Sequence, residues 1–245
     1  MKFEPFSIPS EVYLIGYFLA FILSFGTTFL LIKYPFNPTF NRLLTSKEKN
    51  VKSFGGIAVV LSFLTTLWFF LAIELIDSRN IYLLTVITAG TIAMLLLGVY
   101  DDITQCTARM KLTVQIVIAC ALYFCGFQIE QIGDLIELGN FSIFLTILWI
   151  VGITNAINLI DGMDGLAPGI IFFSCLTIIF VYLERDIVGG SFFAVILAAS
   201  VLGFFIFNFP PAKIILGDTG SLPLGLIIAL ITLLPLNQGY TDEIY

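Results

Sequence analysis

The chain has 245 residues, of which 59% are hydrophobic and 11% charged; it carries 25 phenylalanines, no histidine and a formal net charge of −6. A composition this apolar argues against a soluble globular domain, and the lack of a basic stripe or nucleic-acid motif argues against a DNA or RNA partner. The four cysteines (Cys106, Cys120, Cys125 and Cys175) show no CxxC spacing, and three lie in apolar runs, where they read as small hydrophobes.

The opening stretch MKFEPFSIPSEVY has neither the basic start nor the small-residue cleavage site of a secretory signal, so the first apolar run reads as a retained span. Runs able to cross about 30 Å of hydrocarbon as helix recur at residues 12–32, 57–76, 81–99, 112–127, 141–157, 166–183, 187–207 and 222–236. They predict an all-α, polytopic helical membrane protein with about eight transmembrane helices. It forms one integral membrane domain, with no long linker and no internal repeat. The fourth and eighth runs are short; their helices are expected to begin inside flanking polar segments or to sit against neighbours rather than lipid. Pro223 suits the first turn of the last helix, where a missing N–H costs little. Residues 127–140, FQIEQIGDLIELGN, alternate weakly around Gly133 and fit either a small hairpin or a short interfacial helix.

Lysine and arginine set the orientation. With the N-terminus outside, the inner segments hold Lys33, Arg42, Lys47, Lys49, Lys52, Arg109, Lys111 and Lys213, and the outer ones only Lys2, Arg79 and Arg185. The same assignment puts Glu48, Asp101, Asp102, Asp161, Asp164 and Asp218 on the cytoplasmic face, although no carboxylate entered the comparison. A charged side chain at a bilayer centre costs roughly 2.5–3.5 kcal/mol. Acidic motifs kept at the ends of apolar segments therefore point to a task rather than to packing.

Four segments carry the chemistry. In SKEKNVKSFGGIA (46–58) most lysines are explained as topogenic charges; Gly55-Gly56 permits close approach of a ligand or a neighbouring helix, and Lys52, nearest that turn, is a candidate for phosphate binding. GVYDDITQCTARMKLTVQ (98–115) pairs Asp101 with Asp102, and adjacent carboxylates titrate as a coupled pair suited to a hard cation or a proton. Arg109 and Lys111 follow, able to meet anionic phosphates. In NAINLIDGMDGLAPG (155–169) Asn155, Asn158, Asp161 and Asp164 recur every three residues, while Gly162 and Gly165 predict a broken turn carrying the aspartates. Such amides and carboxylates read a sugar or base edge, coordinate Mg²⁺ through oxygen, or simply cap helices. FNFPPAKIILGDTGSLPLG (207–225) places Asp218 in a small-residue turn opening the last span. Backbone N–H groups at a helix start favour phosphate there, and the plainer reading is N-capping by Asp218, Thr219 or Ser221.

Taken in order, FGG, GVYDD with KLTVQ, NAINLIDGMDGLA and NFPPAKIILGDTGS followed by LG resemble the polyprenyl-phosphate N-acetylhexosamine-1-phosphate transferases, the N-acetylglucosamine branch more than the muramyl-pentapeptide branch. The resemblance runs over almost the whole chain. It implies phosphosugar transfer from a UDP-N-acetylhexosamine to undecaprenyl (polyprenyl) phosphate with release of UMP, as the first membrane step of cell-wall or surface polysaccharide synthesis. It also implies Mg²⁺ as cofactor, with Mn²⁺ as an alternative, a multi-pass location in the bacterial cell membrane, and a homodimer as a possible assembly. By motif, Asp101 and Asp102 match the catalytic pair, one of which deprotonates the lipid phosphate, and Asp218 matches the metal ligand. Asp161 and Asp164 with Asn155 and Asn158 match the nucleotide- and metal-side cluster, and Asp161 is the candidate for contacting uridine. Lys111 matches a phosphate-facing base, and Asn208 and Lys213 belong to the fourth motif.

Members of that family usually have about ten or eleven spans and a late cytoplasmic loop with an HxxH-type motif. With eight spans and no histidine, this sequence is expected to lack those last spans and that loop. A truncated or non-catalytic relative is one alternative that follows. An ion-coupled carrier is another, but carriers place charges near the midplane on broken helices, often with repeat symmetry. The motif carboxylates here cluster at one interface, which favours the enzyme.

Overall fold

The structure, a computed structural model, describes residues 10–34, 52–76, 80–132, 136–185 and 187–237. Uninterrupted apolar sequence gives eight α-helices among the described residues: α1 Ser10–Lys33, α2 Gly55–Ala72, α3 Ile81–Thr104, α4 Ala108–Phe124, α5 Phe141–Ile160, α6 Leu166–Glu184, α7 Val188–Asn208 and α8 Asp218–Asn237. Six of them (α1, α2, α3, α5, α6 and α7) are long and apolar enough to cross a membrane. The protein is therefore an all-α, multi-pass membrane protein. Arg42, Lys47, Glu48 and Lys49 lie outside the described residues.

The two short runs behave as their lengths require. α4 gains a turn by starting in the polar segment, where the Thr107 hydroxyl caps it by accepting from the Met110 amide. α8 is the hub of the bundle: it packs against α3 and α5 most extensively and also against α2, α6 and α7. Every residue from 219 to 231 is buried. A helix wrapped in protein has no need to match the bilayer thickness on its own. It also starts earlier than expected, so Pro223 falls beyond its first turn rather than within it.

In lipid there is little hydrophobic drive to pair helices; small residues that let backbones approach, and hydrogen bonds between helices, do that work. α2 crosses α8 at Gly56 and Gly220, where the two backbones touch and a Cβ on Gly56 would overlap the Cα and N of Gly220. Sparse polar rungs add to this: Ser24 Oγ donates to the Ser200 carbonyl at 2.5 Å, Tyr182 Oη to the Ile231 carbonyl at 2.8 Å, and Tyr13 Oη pairs with Ser191 Oγ at 2.8 Å. Each such bond is worth about 0.6 kcal/mol on average.

Away from that framework, β1 Gln131–Ile132 and β2 Ile136–Glu137 pair antiparallel, Gln131 opposite Glu137. Of the two readings of residues 127–140, the hairpin is the one observed; Gly133 lies outside the described residues. At the other end of the bundle, residues 52–56 run beside 214–216. The Ile215 amide donates to the Lys52 carbonyl at 2.9 Å, and the Gly55 and Gly56 amides donate to Ile215 and Leu216 at 3.1 and 3.2 Å. This short parallel ladder fixes the turn that launches α8.

Candidate active site

All four motif segments meet at that end of the bundle, where α3, α5 and α7 finish and α2, α4, α6 and α8 begin. The α3–α4 connection reverses at Gln105, which adopts the left-handed conformation (φ 54°) and donates its amide to the Asp101 carbonyl at 2.7 Å. The reversal brings Lys111, on the first turns of α4, back alongside Asp101. α5 ends at Ile160, so Asn155 and Asn158 stand one turn apart on a helix face, while Asp161 and Asp164 occupy the turn before Gly165 (φ 77°) opens α6. The broken turn expected around Gly162 and Gly165 is what the chain adopts.

The adjacent aspartates do different things. Both oxygens of Asp102 are committed to the start of α8: Oδ1 accepts from the Asp218 amide at 3.1 Å, and Oδ2 from the Thr219 amide at 3.0 Å and from the Thr219 hydroxyl. Asp102 is thus the N-cap of α8 supplied from another helix, in place of the capping expected from Asp218, Thr219 or Ser221 themselves. Its negative charge also sits at the positive end of the α8 dipole. Removing it as Asp102→Ala is expected to lower stability by about 1–3 kcal/mol, seen as a lower thermal unfolding midpoint in detergent, with Asp102→Asn less affected. An unchanged midpoint for the alanine variant would refute the capping role.

Because the cap comes from α3, the Asp218 side chain is released to face the cluster. Its Oδ1 accepts from Asn158 Nδ2 at 2.8 Å, and its Oδ2 contacts Lys111 Nζ. The same ammonium lies 2.9 Å from Asp101 Oδ2 and 3.4 Å from Asn158 Oδ1. Oxygens from α3, α5 and α8 therefore converge on one cation carried by α4. Asp101 is held by its other oxygen, which accepts from the Cys106 amide at 2.9 Å. Asn158 Nδ2 also donates to the Ser221 hydroxyl at 2.8 Å. The side chains of Asp101, Lys111 and Asp218 are only 14–23% exposed, shielded from bulk water yet within reach of a ligand. Hydrogen bonding to the Asp101 carboxylate, with burial and that carboxylate's charge behind it, pushes up the pKa of the Cys106 thiol. The thiol is thus held further toward its protonated form.

These donors fit Mg²⁺. Asp101 Oδ2, the Asp218 carboxylate and Asn158 Oδ1 are hard oxygen ligands already gathered around a positive charge. Two aspartates facing one lysine leave a surplus of negative charge for a cation to balance. Among the described residues no three acidic or cysteine side chains gather into a metal-binding group, so a cation held here would need the amide oxygen of Asn158 as well.

The remaining expected residues have their places. Asn155 Nδ2 donates to Gln115 Oε1 at 2.6 Å and to the Val151 carbonyl at 2.8 Å. Asn208, only 2% exposed, accepts from the Gly165 amide at 2.9 Å and donates to the Ile214 carbonyl at 2.8 Å, so it braces two site loops against each other. Asp164 holds the Ala212 amide at 3.1 Å and Asp161 caps the end of α5. Lys52 spends its ammonium on the Leu31, Ile32 and Tyr34 carbonyls at the end of α1. Arg109 and Lys213 are exposed and form no ion pair among the described residues. Gln115 escaped the sequence reading, while Thr219 and Ser221 entered it only as helix-cap candidates. Gln115 had a signal, as a polar residue inside an apolar run four positions after Lys111.

Residues 84–235 match the glycosyl transferase family 4 profile. A probable undecaprenyl-phosphate N-acetylglucosaminyl 1-phosphate transferase of Bacillus subtilis is 42% identical over 163 residues, covering 64% of this chain and 46% of that protein. A phospho-N-acetylmuramoyl-pentapeptide-transferase of Staphylococcus carnosus is 34% identical over 209 residues, covering 77% and 63%, and one of Streptococcus uberis is 33% identical over 199 residues, covering 76% and 58%. The chain spans less than two thirds of the length of each of these relatives.

Proposed function

The chain belongs to glycosyl transferase family 4, and on that premise we propose that it transfers N-acetylhexosamine-1-phosphate from a UDP-sugar to a polyprenyl phosphate, releasing UMP. The observation that carries this reading is the convergence of Asp101, Asn158 and Asp218 on Lys111 at one end of a membrane bundle. The charge bias of the sequence supports the cytoplasmic face for that end, in our reading that of a bacterial cell membrane. There an acceptor with its tail in lipid and a nucleotide sugar from the cytosol can both arrive. The name of the B. subtilis relative supports undecaprenyl phosphate as acceptor and an N-acetylglucosaminyl 1-phosphate group as cargo.

Two polyanions must be brought together, so charge neutralisation and in-line placement dominate the chemistry. A lipid-phosphate oxygen attacks the phosphorus bonded to the sugar, the bond from that phosphorus to the bridging oxygen breaks, and UMP leaves with the electron pair. Lys111, with exposed Arg109 and Lys213 at the rim, holds the acceptor phosphate. Of the acidic pair, Asp101 is the one that faces Lys111 and the incoming phosphate, because both oxygens of Asp102 are spent on α8. Asn155, Asp161 and Asp164 line the nucleotide side, and Asn208 keeps their loop in place. Mg²⁺, or Mn²⁺ in its stead, held by Asp218, Asn158 and Asp101, would neutralise charge on the diphosphate and on departing UMP.

The test is UMP release by membranes containing the protein, given undecaprenyl phosphate and either UDP-N-acetylglucosamine or UDP-N-acetylmuramyl-pentapeptide. Release with the first donor, abolished by chelation of divalent ions, is expected. Absence of release with both donors would refute the reading.

A further inference from the structure

Lys111 occupies an odd position for a residue whose task is to greet a phosphate. Its ammonium is not at the rim but in the middle of the oxygen cluster, touching Asp218, 2.9 Å from Asp101 and 3.4 Å from Asn158. Those oxygens are held in place independently of it. Asp101 is tied to the Cys106 amide, Asn158 to Ser221, and the residue bearing the Asp218 carboxylate is anchored through its amide by Asp102. The lysine is the movable member, because four flexible methylenes separate its charge from the helix. Arg109 and Lys213, by contrast, are exposed at the surface.

Building on the proposed transferase reading, we propose that Lys111 and the divalent ion compete for the same oxygens, the ion displacing the ammonium. The Lys111 ammonium keeps two close carboxylates from repelling one another. A divalent ion entering the same oxygens cannot share them with an ammonium, so its binding expels Lys111 toward the incoming phosphate. Metal loading and presentation of the phosphate-binding lysine then become one event, and a lipid phosphate meets a free lysine only in a loaded site. The site accepts this exchange without moving a helix, since only the lysine side chain must swing.

The experiment measures Mn²⁺ binding to the full-length protein in lipid nanodiscs, from the electron paramagnetic resonance signal of free Mn²⁺, with no substrate present. Lys111→Gln removes the competing charge and is expected to bind Mn²⁺ at least tenfold more tightly than the unmodified protein. Lys111→Arg, which keeps the charge, is expected to stay within threefold of it. Equal or weaker binding by the glutamine variant, or no binding by either protein, overturns the exchange. Asp218→Asn separates the two ideas: if it leaves Mn²⁺ binding untouched, the metal assignment itself fails. If it abolishes binding while Lys111→Gln has no effect, the assignment stands and only the exchange falls. Should the glutamine variant be unstable without metal, its thermal midpoint is expected to recover on adding Mn²⁺, and failure to recover counts against the proposal.

Discussion

Asp218→Asn is expected to cut UMP release by about 10³-fold, the scale seen when one charge-stabilising group is lost from a transition state, while the protein still inserts and folds. The substitution keeps the size of the side chain and leaves the backbone amide of residue 218 on Asp102. What disappears is one negative charge among oxygens that already surround a cation. An asparagine also presents an NH₂ group toward either Lys111 or Asn158, and both of those already place donors there. The damage is therefore electrostatic and local. Release per molecule of protein, with membrane content measured in parallel and the unfolding midpoint as a control, checks it. Activity within tenfold of the unmodified protein would remove Asp218 from the chemistry.

The largest effect on stability is expected from Gly56. A methyl group there meets backbone of α8 rather than a side chain that can rotate away. Overpacking a core typically costs about 1–3 kcal/mol, and contact with rigid backbone belongs at or above the top of that range. Gly56→Ala should also pull Gly55 and Gly56 off the Ile215 and Leu216 carbonyls, displacing the turn that carries Asp218. Monodisperse protein after detergent extraction is expected to be largely lost in Gly56→Ala. Gly152→Ala is the matched control, because nothing lies within 4 Å of a Cβ at that helical position, and it should stay within about 0.5 kcal/mol. Equal yields of the two variants would show that the α2–α8 crossing tolerates separation.

The helices were legible in the sequence because each is written in its own local run of apolar residues. The broken turn after α5 was legible too, since Gly162 and Gly165 interrupt a helical spacing at known positions. What could not be read locally is who partners whom. Asp102 looked like half of a reactive pair, and its engagement with residues 218 and 219 is a contact between segments 116 residues apart. Asn208 sat in the right motif, yet its side chain braces loops. Lys52 read as a phosphate ligand because it stands next to a glycine turn, whereas three carbonyls left unpaired at the end of α1 take its ammonium. Glycine pairs permit close approach to many things, and only packing selects Gly220 as the partner of Gly56.

The central position of α8 also governs biogenesis. The ribosome makes this helix after the five it packs against, and a segment buried from residue 219 to 231 needs those helices around it to be shielded. Until it docks, Asp102 has no amides to cap and Lys111 lacks one of its carboxylates. The oxygen cluster around Lys111 is then complete only once α8 has entered the bundle. Chains in which α8 has not docked carry the acidic motifs without bringing them together.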